Sequence, residues 1–361
     1  MGVDLSVDFL GFRLKNPLML TEGPLSGDLQ LIERASDYDI GLIFTKGIRP
    51  KRAVSPMPYM SRYGRSLINA DWSDIGLEEW LKVIERLDSS IPLVTSIAKN
   101  YVRVDDAVDM AELLVKAGSR IISFVDYVPA ELVKTVRLAK KRLKVPVMVK
   151  LPPFIRNLEE VVGQLVKAGV DAIAAMDSIG PVLSVDTTTG LPVMGSEDGS
   201  GYLSGRYILP VTLKYVYDIS HYTDLPVVGV GGVSDSDSAL QMIMVGATGV
   251  GMVSEPLLKG LRVFNSVARG IESFLSLNGY SSVTEIRGLT RKKLKTRKPI
   301  TGMVAYIDTN LCNLCGLCEI VCYAKAIHRR NDSYSVDDLS CTGCGLCMSV
   351  CNRGAITYVA K

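Results

Sequence analysis

The sequence predicts a parallel (β/α)8 barrel, the TIM-barrel class of α/β fold, followed by a small cysteine-rich α+β module, and three observations carry that expectation. Eight short, β-branched apolar runs alternate with amphipathic stretches from Pro17 to about Ser276. All eight cysteines fall between Cys312 and Cys351, and the barrel stretch has none. A basic run from Arg287 to Lys298, RGLTRKKLKTRK, followed by Pro299, stands between the two parts. The expected division is 1–286 for the barrel, 287–299 for a basic linker and 300–361 for the module.

In chain order the strands are PLMLTEG from Pro17, GLIFTKG from Gly41, IPLVTSIA from Ile91, RIISFVDY from Arg120, VPVMVKLPP from Val145, AIAAMDSIG from Ala172, PVVGVGG from Pro226 and GVGMVS from Gly249. Runs apolar on both faces suit parallel strands covered by crossover helices. Eight of them argue for a closed barrel over an open doubly wound sheet. Most end in a small or polar residue (Lys46, Asn100, Asp126, Lys150, Asp177, Gly232, Ser254), and that end is where barrel enzymes place their chemistry. Between strands six and seven lies SVDTTTGLPVMGSEDGSGYLSG. It is too long for an ordinary connection and reads either as an active-site cover or as a mobile surface loop.

Forty-one basic residues against 38 acidic ones leave a net charge of +3, which gives no reason to expect nucleic acid or an anionic membrane as partner. A small-molecule substrate is expected instead. The opening MGVDLSVDFLGF has no basic stretch leading into an apolar one, and no run of eighteen apolar residues occurs. With cysteines confined to one segment, the expected setting is a reducing cytoplasm without disulfides or membrane insertion. The basic run reads as a solvated linker or as a docking strip for an acidic electron-carrier protein or partner subunit. The oligomeric state is left open, a homo-oligomer included.

Cys312, Cys315, Cys318 and Cys322 follow the spacing CxxCxxCxxxC, and Cys341, Cys344, Cys347 and Cys351 repeat it. Three thiolates two residues apart wrap one corner of a cubane cluster, while the fourth, on the following helix, points to the other. The expected ligand sets are therefore crossed. Cys312, Cys315, Cys318 and Cys351 would hold one [4Fe-4S] cluster, and Cys341, Cys344, Cys347 and Cys322 the second. Zinc is the alternative, but zinc motifs contribute ligands in separated pairs rather than runs of four. The segment resembles bacterial-type dicluster ferredoxins, except that Tyr323 and Asn352 stand where a proline usually follows the fourth cysteine. Clusters pass electrons singly, so the barrel should hold a flavin, the usual converter between two-electron and one-electron chemistry.

The barrel resembles the class 1 dihydroorotate dehydrogenases and the flavin domain of dihydropyrimidine dehydrogenase over nearly its whole length. The matching stretches are FTKG around Lys46, SLINADWSDIGLEEWL around Asn69, SIA at Ser96, VMVKLPP around Lys150, DSIG at Asp177, SGYLSGRYILP around Gly205, VGVGGV around Gly231 and VGATGVGMVS ending at Ser254. The resemblance implies FMN. Gly231, Gly232, Val253 and Ser254 would offer backbone amides to its phosphate, although a Gly-Gly pair is also simply a tight turn. Lys150 would lie beside flavin N1 and O2, where a cation favours the charge that appears on reduction. Lys46 and Asn69 would sit between flavin and substrate, and Thr21, Gly23, Ser178 and Gly205 would line the cofactor pocket.

The resemblance breaks after strand four. There the family carries an asparagine, a cysteine or serine base and a second asparagine, whereas this chain has Val125, Val128 and Ala130. None of these can move a proton or hydrogen-bond a pyrimidine ring. The remaining acid/base candidates are Asp126, Tyr127 and Asp177, with Tyr127 either a proton donor or only a hydrogen-bonding loop residue. Histidines 221 and 328 are placed outside the strand tops.

The expected function is an FMN-dependent CH–CH oxidoreductase, dihydroorotate/dihydropyrimidine dehydrogenase-like, relaying electrons through two clusters. Alternatives are an electron-transfer subunit that keeps FMN without pyrimidine chemistry, or an ene-reductase on another substrate. No GxGxxG fingerprint stands in a strand-turn-helix context, so the electron partner is expected to be a separate ferredoxin or flavoprotein subunit.

Overall fold

The computed structural model of the protein describes residues 2–54, 56–70, 72–73, 75–88, 90–297 and 301–361. It divides into two compact units, Met1–Lys295 and Thr296–Lys361.

In the first unit eight parallel strands form a closed barrel in sequential order: Leu18–Leu20, Leu42–Phe44, Leu93–Ala98, Ile122–Val125, Val147–Leu151, Ala172–Ala175, Val227–Val230 and Gly249–Met252. These are strands one to eight below. Closure comes from the last strand pairing with the first, Val250 opposite Leu18 and Met252 opposite Leu20. Strands three and five are buried at every position, which is why LVTSIA and VMVKL show no polar alternation. The interior is fitted across neighbours: a Cβ on Gly251 of strand eight would come within 2.6 Å of Thr21 Cγ2, just past strand one.

Outside, the helices bury one stripe each. Val104–Lys116 buries Ala107, Val108, Ala111 and Leu114, a helical spacing, with Asp105 and Asp106 in its first turn and Lys116 in its last, charges placed to suit the helix dipole. The turn into strand two is tight. A Cβ on Gly41 would overlap the Asn16 carbonyl oxygen, which is backbone and cannot swing aside. Gly41→Ala should therefore lower stability by about 1–3 kcal/mol, measurable as an earlier denaturant midpoint at unchanged slope.

Two long connections, after strands two and six, combine into a four-stranded antiparallel sheet ordered Ile179–Leu183, Ser200–Gly205, Ser66–Asn69 and Met60–Tyr63. Tyr202 pairs with Asn69 and Gly205 with Ser66. The Gly/Ser/Thr-rich segment thus closes a hairpin between Ile179–Leu183 and Ser200–Gly205, whose register shifts between Ile179 and Val182, and its last six residues form the second strand. The basic run read as a linker carries a helix, Leu289–Thr296, preceded by Gly288, whose N–H donates to the Ile243 carbonyl. Arg287 and Arg291 reach Thr248 and the Ser220 carbonyl. The end of the run, Lys298 and Pro299, lies outside the described residues. Among the described residues no helix is long and apolar enough to cross a membrane.

The second unit pairs Met303–Ile307 with Ile356–Ala360 and Ile327–Arg330 with Ser333–Val336. Each cysteine motif contains a short helix, Leu317–Ile320 or Leu346–Val350, entered through a glycine at φ near +80°, Gly316 or Gly345. It carries the third cysteine, Cys318 or Cys347, and ends before the fourth, so Cys322 and Cys351 lie just past a helix rather than on one as expected. The two halves bend at equivalent places: Leu314 matches Gly343, and Lys325 matches Gly354, all with positive φ.

Candidate functional site

Side chains and amides from the C-terminal ends of the barrel strands meet the four-stranded sheet around a cleft of about 1220 Å³, counting the part open to solvent. The sheet contributes Met60, Leu67, Asn69, Tyr202 and Ser204 to its wall. Ser254 Oγ donates to Ser204 Oγ at 2.9 Å, tying the end of strand eight to the sheet.

Lys150, near the end of strand five, is the electrostatic centre. Its side chain is 7% exposed, with Nζ 3.1 Å from Glu22 Oε2 and 3.4 Å from Asp177 Oδ1. Burial alone would push the lysine pKa down, but the Asp177 and Glu22 carboxylates outweigh it and hold Lys150 above its ordinary value. Asp177 in turn accepts from the Tyr127 hydroxyl at 3.2 Å and from the Ser178 N–H at 2.8 Å. Lys46 Nζ lies 3.8 Å from the centre of the Trp72 ring, a cation–π contact in the same cleft.

On the wall formed by strands seven and eight, Gly231 and Gly232 have φ of +116° and +91°, so the chain turns there as few other residues allow. A Cβ on Gly232 would also sit 2.5 Å from Leu209 Cα, so packing demands this glycine whatever else it does. Val253 and Ser254 begin the short helix Ser254–Lys259, whose first N–H groups have no intrahelical acceptor.

Most residues singled out from the sequence line this one cleft: Gly23, Lys46, Asn69, Tyr127, Lys150, Asp177, Ser178, Gly205, Gly231, Gly232, Val253 and Ser254. Two do not. Asp126 is buried in an ion pair with Lys99 at 3.1 Å and accepts from the Val128 N–H, so its carboxylate is committed elsewhere. Lys99 also pairs with Glu131 at 3.1 Å. Strand geometry explains it: successive side chains alternate faces, so Val125 and Tyr127 face the cleft and Asp126 does not. Thr21 is fully buried outside the cleft lining, with no hydrogen-bond partner for Oγ1. Val128 is half exposed and, like Ala130, lies off the cleft. His221, in Leu209–Tyr222, is not part of the cleft lining, and His328 belongs to the second unit, in Ile327–Arg330.

Sequence reasoning missed Glu22. An acid at the end of an otherwise apolar strand was the available signal. Ser96 Oγ donates to its Oε1 at 3.0 Å. It also missed Arg49, which is 9% exposed, lines the cleft and stacks 3.6 Å over the Tyr101 ring.

In the second unit the cysteines fall into two groups. Cys312, Cys315, Cys318 and Cys351 line one small cavity, and Cys322, Cys341, Cys344 and Cys347 line another. The fourth cysteine of each motif thus sits with the first three of the other. The Ala326 N–H donates to Cys322 Sγ at 3.2 Å and the Ala355 N–H to Cys351 Sγ at 3.4 Å. Tyr323, in the place of the missing proline, shares a hydrogen bond of 2.9 Å with Thr342 of the other motif.

Comparison with known proteins agrees with both units. A family profile described as dihydroorotate dehydrogenase matches residues 115–275, and one described as a 4Fe-4S binding domain matches residues 305–328 and 334–357. Curated relatives named dihydroorotate dehydrogenase B (NAD(+)), catalytic subunit, include those of Methanosarcina mazei, Methanothermobacter thermautotrophicus and Pyrococcus abyssi. The M. mazei protein is 31% identical over 78% of this chain and 94% of its own length. The M. thermautotrophicus protein is 28% identical over 79% and 98%, and the P. abyssi protein 29% identical over 80% and 99%. Identity at this level, sustained over nearly the full length of these relatives, shows that the chain belongs to the dihydroorotate dehydrogenase family.

Proposed function

We propose that the protein is an FMN-dependent oxidoreductase acting on a CH–CH pair, with two [4Fe-4S] clusters carrying electrons away from or toward the flavin. One observation carries the reading: a single cleft has the Lys150 ammonium on one wall and the turns of Gly231–Gly232 and Val253–Ser254 on another. Those turns suit a phosphate monoester, which needs backbone donors, and Lys150 suits the electron-rich edge of an isoalloxazine. The unpartnered, buried Thr21 Oγ1 beside this cleft adds a polar atom still to be satisfied. Gly23, Lys46, Ser178 and Gly205 complete the set that would hold FMN. Bound there, FMN supplies hydride exchange at N5 and hands electrons on singly. The two groups of four cysteines would hold the clusters.

The chain's own residues would handle the substrate. Tyr127 Oη would give or take the substrate proton, a role supported by its hydrogen bond to Asp177 Oδ2 and its 40% exposure. Asn69 offers an amide on the sheet side of the cleft. Tyr127→Phe should lower kcat by about 10²–10⁴ with KM little changed. An unchanged kcat would leave Tyr127 as a hydrogen-bonding residue of the loop.

The test is anaerobic purification with FMN and iron quantified, followed by dihydroorotate, dihydrouracil and dihydrothymine while the flavin band is watched. Bleaching by one of them supports the reading and names the substrate. A second reading is favoured by Val125, which lines the cleft where the family has an asparagine: an electron-transfer subunit, or an ene-reductase on a substrate without a pyrimidine ring. A flavin that none of the three bleaches would favour that one. The relatives' names mark them as catalytic subunits, so the electron partner is proposed to be a separate ferredoxin or flavoprotein subunit.

A further inference from the structure

Glu22 is a buried acid in the cleft wall to which nothing above assigns a role. Its side chain is 8% exposed, and its two oxygens are both used, one by Lys150 and one by Ser96. Asp177 approaches the same ammonium from strand six and is itself held by Tyr127 and the Ser178 amide. One cation and two carboxylates therefore share the point where the flavin reading puts a lysine beside the ring.

The charge count changes what that lysine can do. A lone ammonium in a poorly screened wall acts as a full positive charge, with an influence that falls as the inverse of distance. Paired with one carboxylate it acts as a dipole, whose reach is shorter. With the second carboxylate the cluster is negative overall. Reduction of a flavin by two electrons and one proton adds negative charge to the ring, which a bare cation would favour and this cluster favours less.

We propose that Glu22 acts through Lys150 to hold the flavin midpoint potential low, making the reduced cofactor a readier donor to one-electron carriers. Glu22 is a positioning residue in this scheme, and the proposal rests on the FMN reading above.

The test uses full-length protein, purified anaerobically and loaded with FMN, with the midpoint potential measured against redox dyes at the flavin band and dithionite as reductant. Glu22→Gln keeps the size and the Ser96 hydrogen bond while removing the charge. The expected result is a rise of about 30 mV or more, the equivalent of a tenfold gain in affinity for reduced over oxidised FMN in a two-electron couple, at unchanged FMN content. Glu22→Ser, which still leaves Lys150 its Asp177 partner, gives the same reading if the glutamine variant does not fold. A potential that stays put or falls, with FMN bound, overturns this proposal alone. A wild-type chain that takes up no FMN overturns the flavin reading and this proposal with it.

Discussion

Lys150→Met is expected to unfold well below the wild type and to retain little FMN. Lys150 is the shared partner of the Glu22 and Asp177 carboxylates, and all three side chains are largely buried. Removing one member of a buried ion pair typically costs about 3–5 kcal/mol, because the opposite charge is left without compensation. For a domain of this size that is a drop of about 10 °C in the thermal midpoint. The sign with pH follows from the raised pKa of Lys150. Its contribution in the wild type is complete below the ordinary lysine value of 10.5 and is lost as pH climbs through the higher folded-state value. The two proteins should therefore differ most at neutral pH and converge at the alkaline end. A methionine variant that melts with the wild type and still binds one FMN per chain would sink the placement of Lys150 at the flavin.

The second large effect separates the crossed cluster arrangement from a sequential one. Cys315 and Cys351 line the same cavity although they belong to different motifs. Cys315→Ala combined with Cys351→Ala should therefore empty one cluster and leave about four irons of about eight. Cys315→Ala combined with Cys344→Ala, one from each cavity, should empty both. If each motif held its own cluster, the first double variant would lose both. Iron analysis of anaerobically purified protein, with electron paramagnetic resonance of the reduced state, reads the outcome directly.

The barrel was legible because its signal is local. Eight apolar runs buried on both faces need no partner to be recognised as strands, and the observed strands lie inside the expected segments. The sheet over the mouth was not, because MSRY and SGYLSG are neither apolar throughout nor strictly alternating, and although MSRY pairs with the neighbouring Ser66–Asn69, SGYLSG reaches that strand from far along the chain. The site was partly legible for the same reason. Rules about strand ends pointed to Lys150, Asp177, Gly231 and Gly232, which do line the cleft. They also pointed to Asp126, because a strand end has two alternating faces and only one of them meets the cleft. Counting from Tyr127 by twos would have set Asp126 aside.

The sheet over the mouth also bears on the order of assembly. Ser66–Asn69 can pair with Ser200–Gly205 only after the chain between them has been brought home, so Asn69 and Ser204 meet across 135 residues. Those contacts come after the large loop closure that the barrel itself accomplishes. They add little apolar burial of their own, since Ile68, Ala70 and Met194 form a small cluster apart from the main core. The amides of this sheet should thus be the last in the unit to gain protection from hydrogen exchange and the first to lose it. The cleft can then open to a ligand at a cost set by this sheet alone, while the barrel beneath it stays shut.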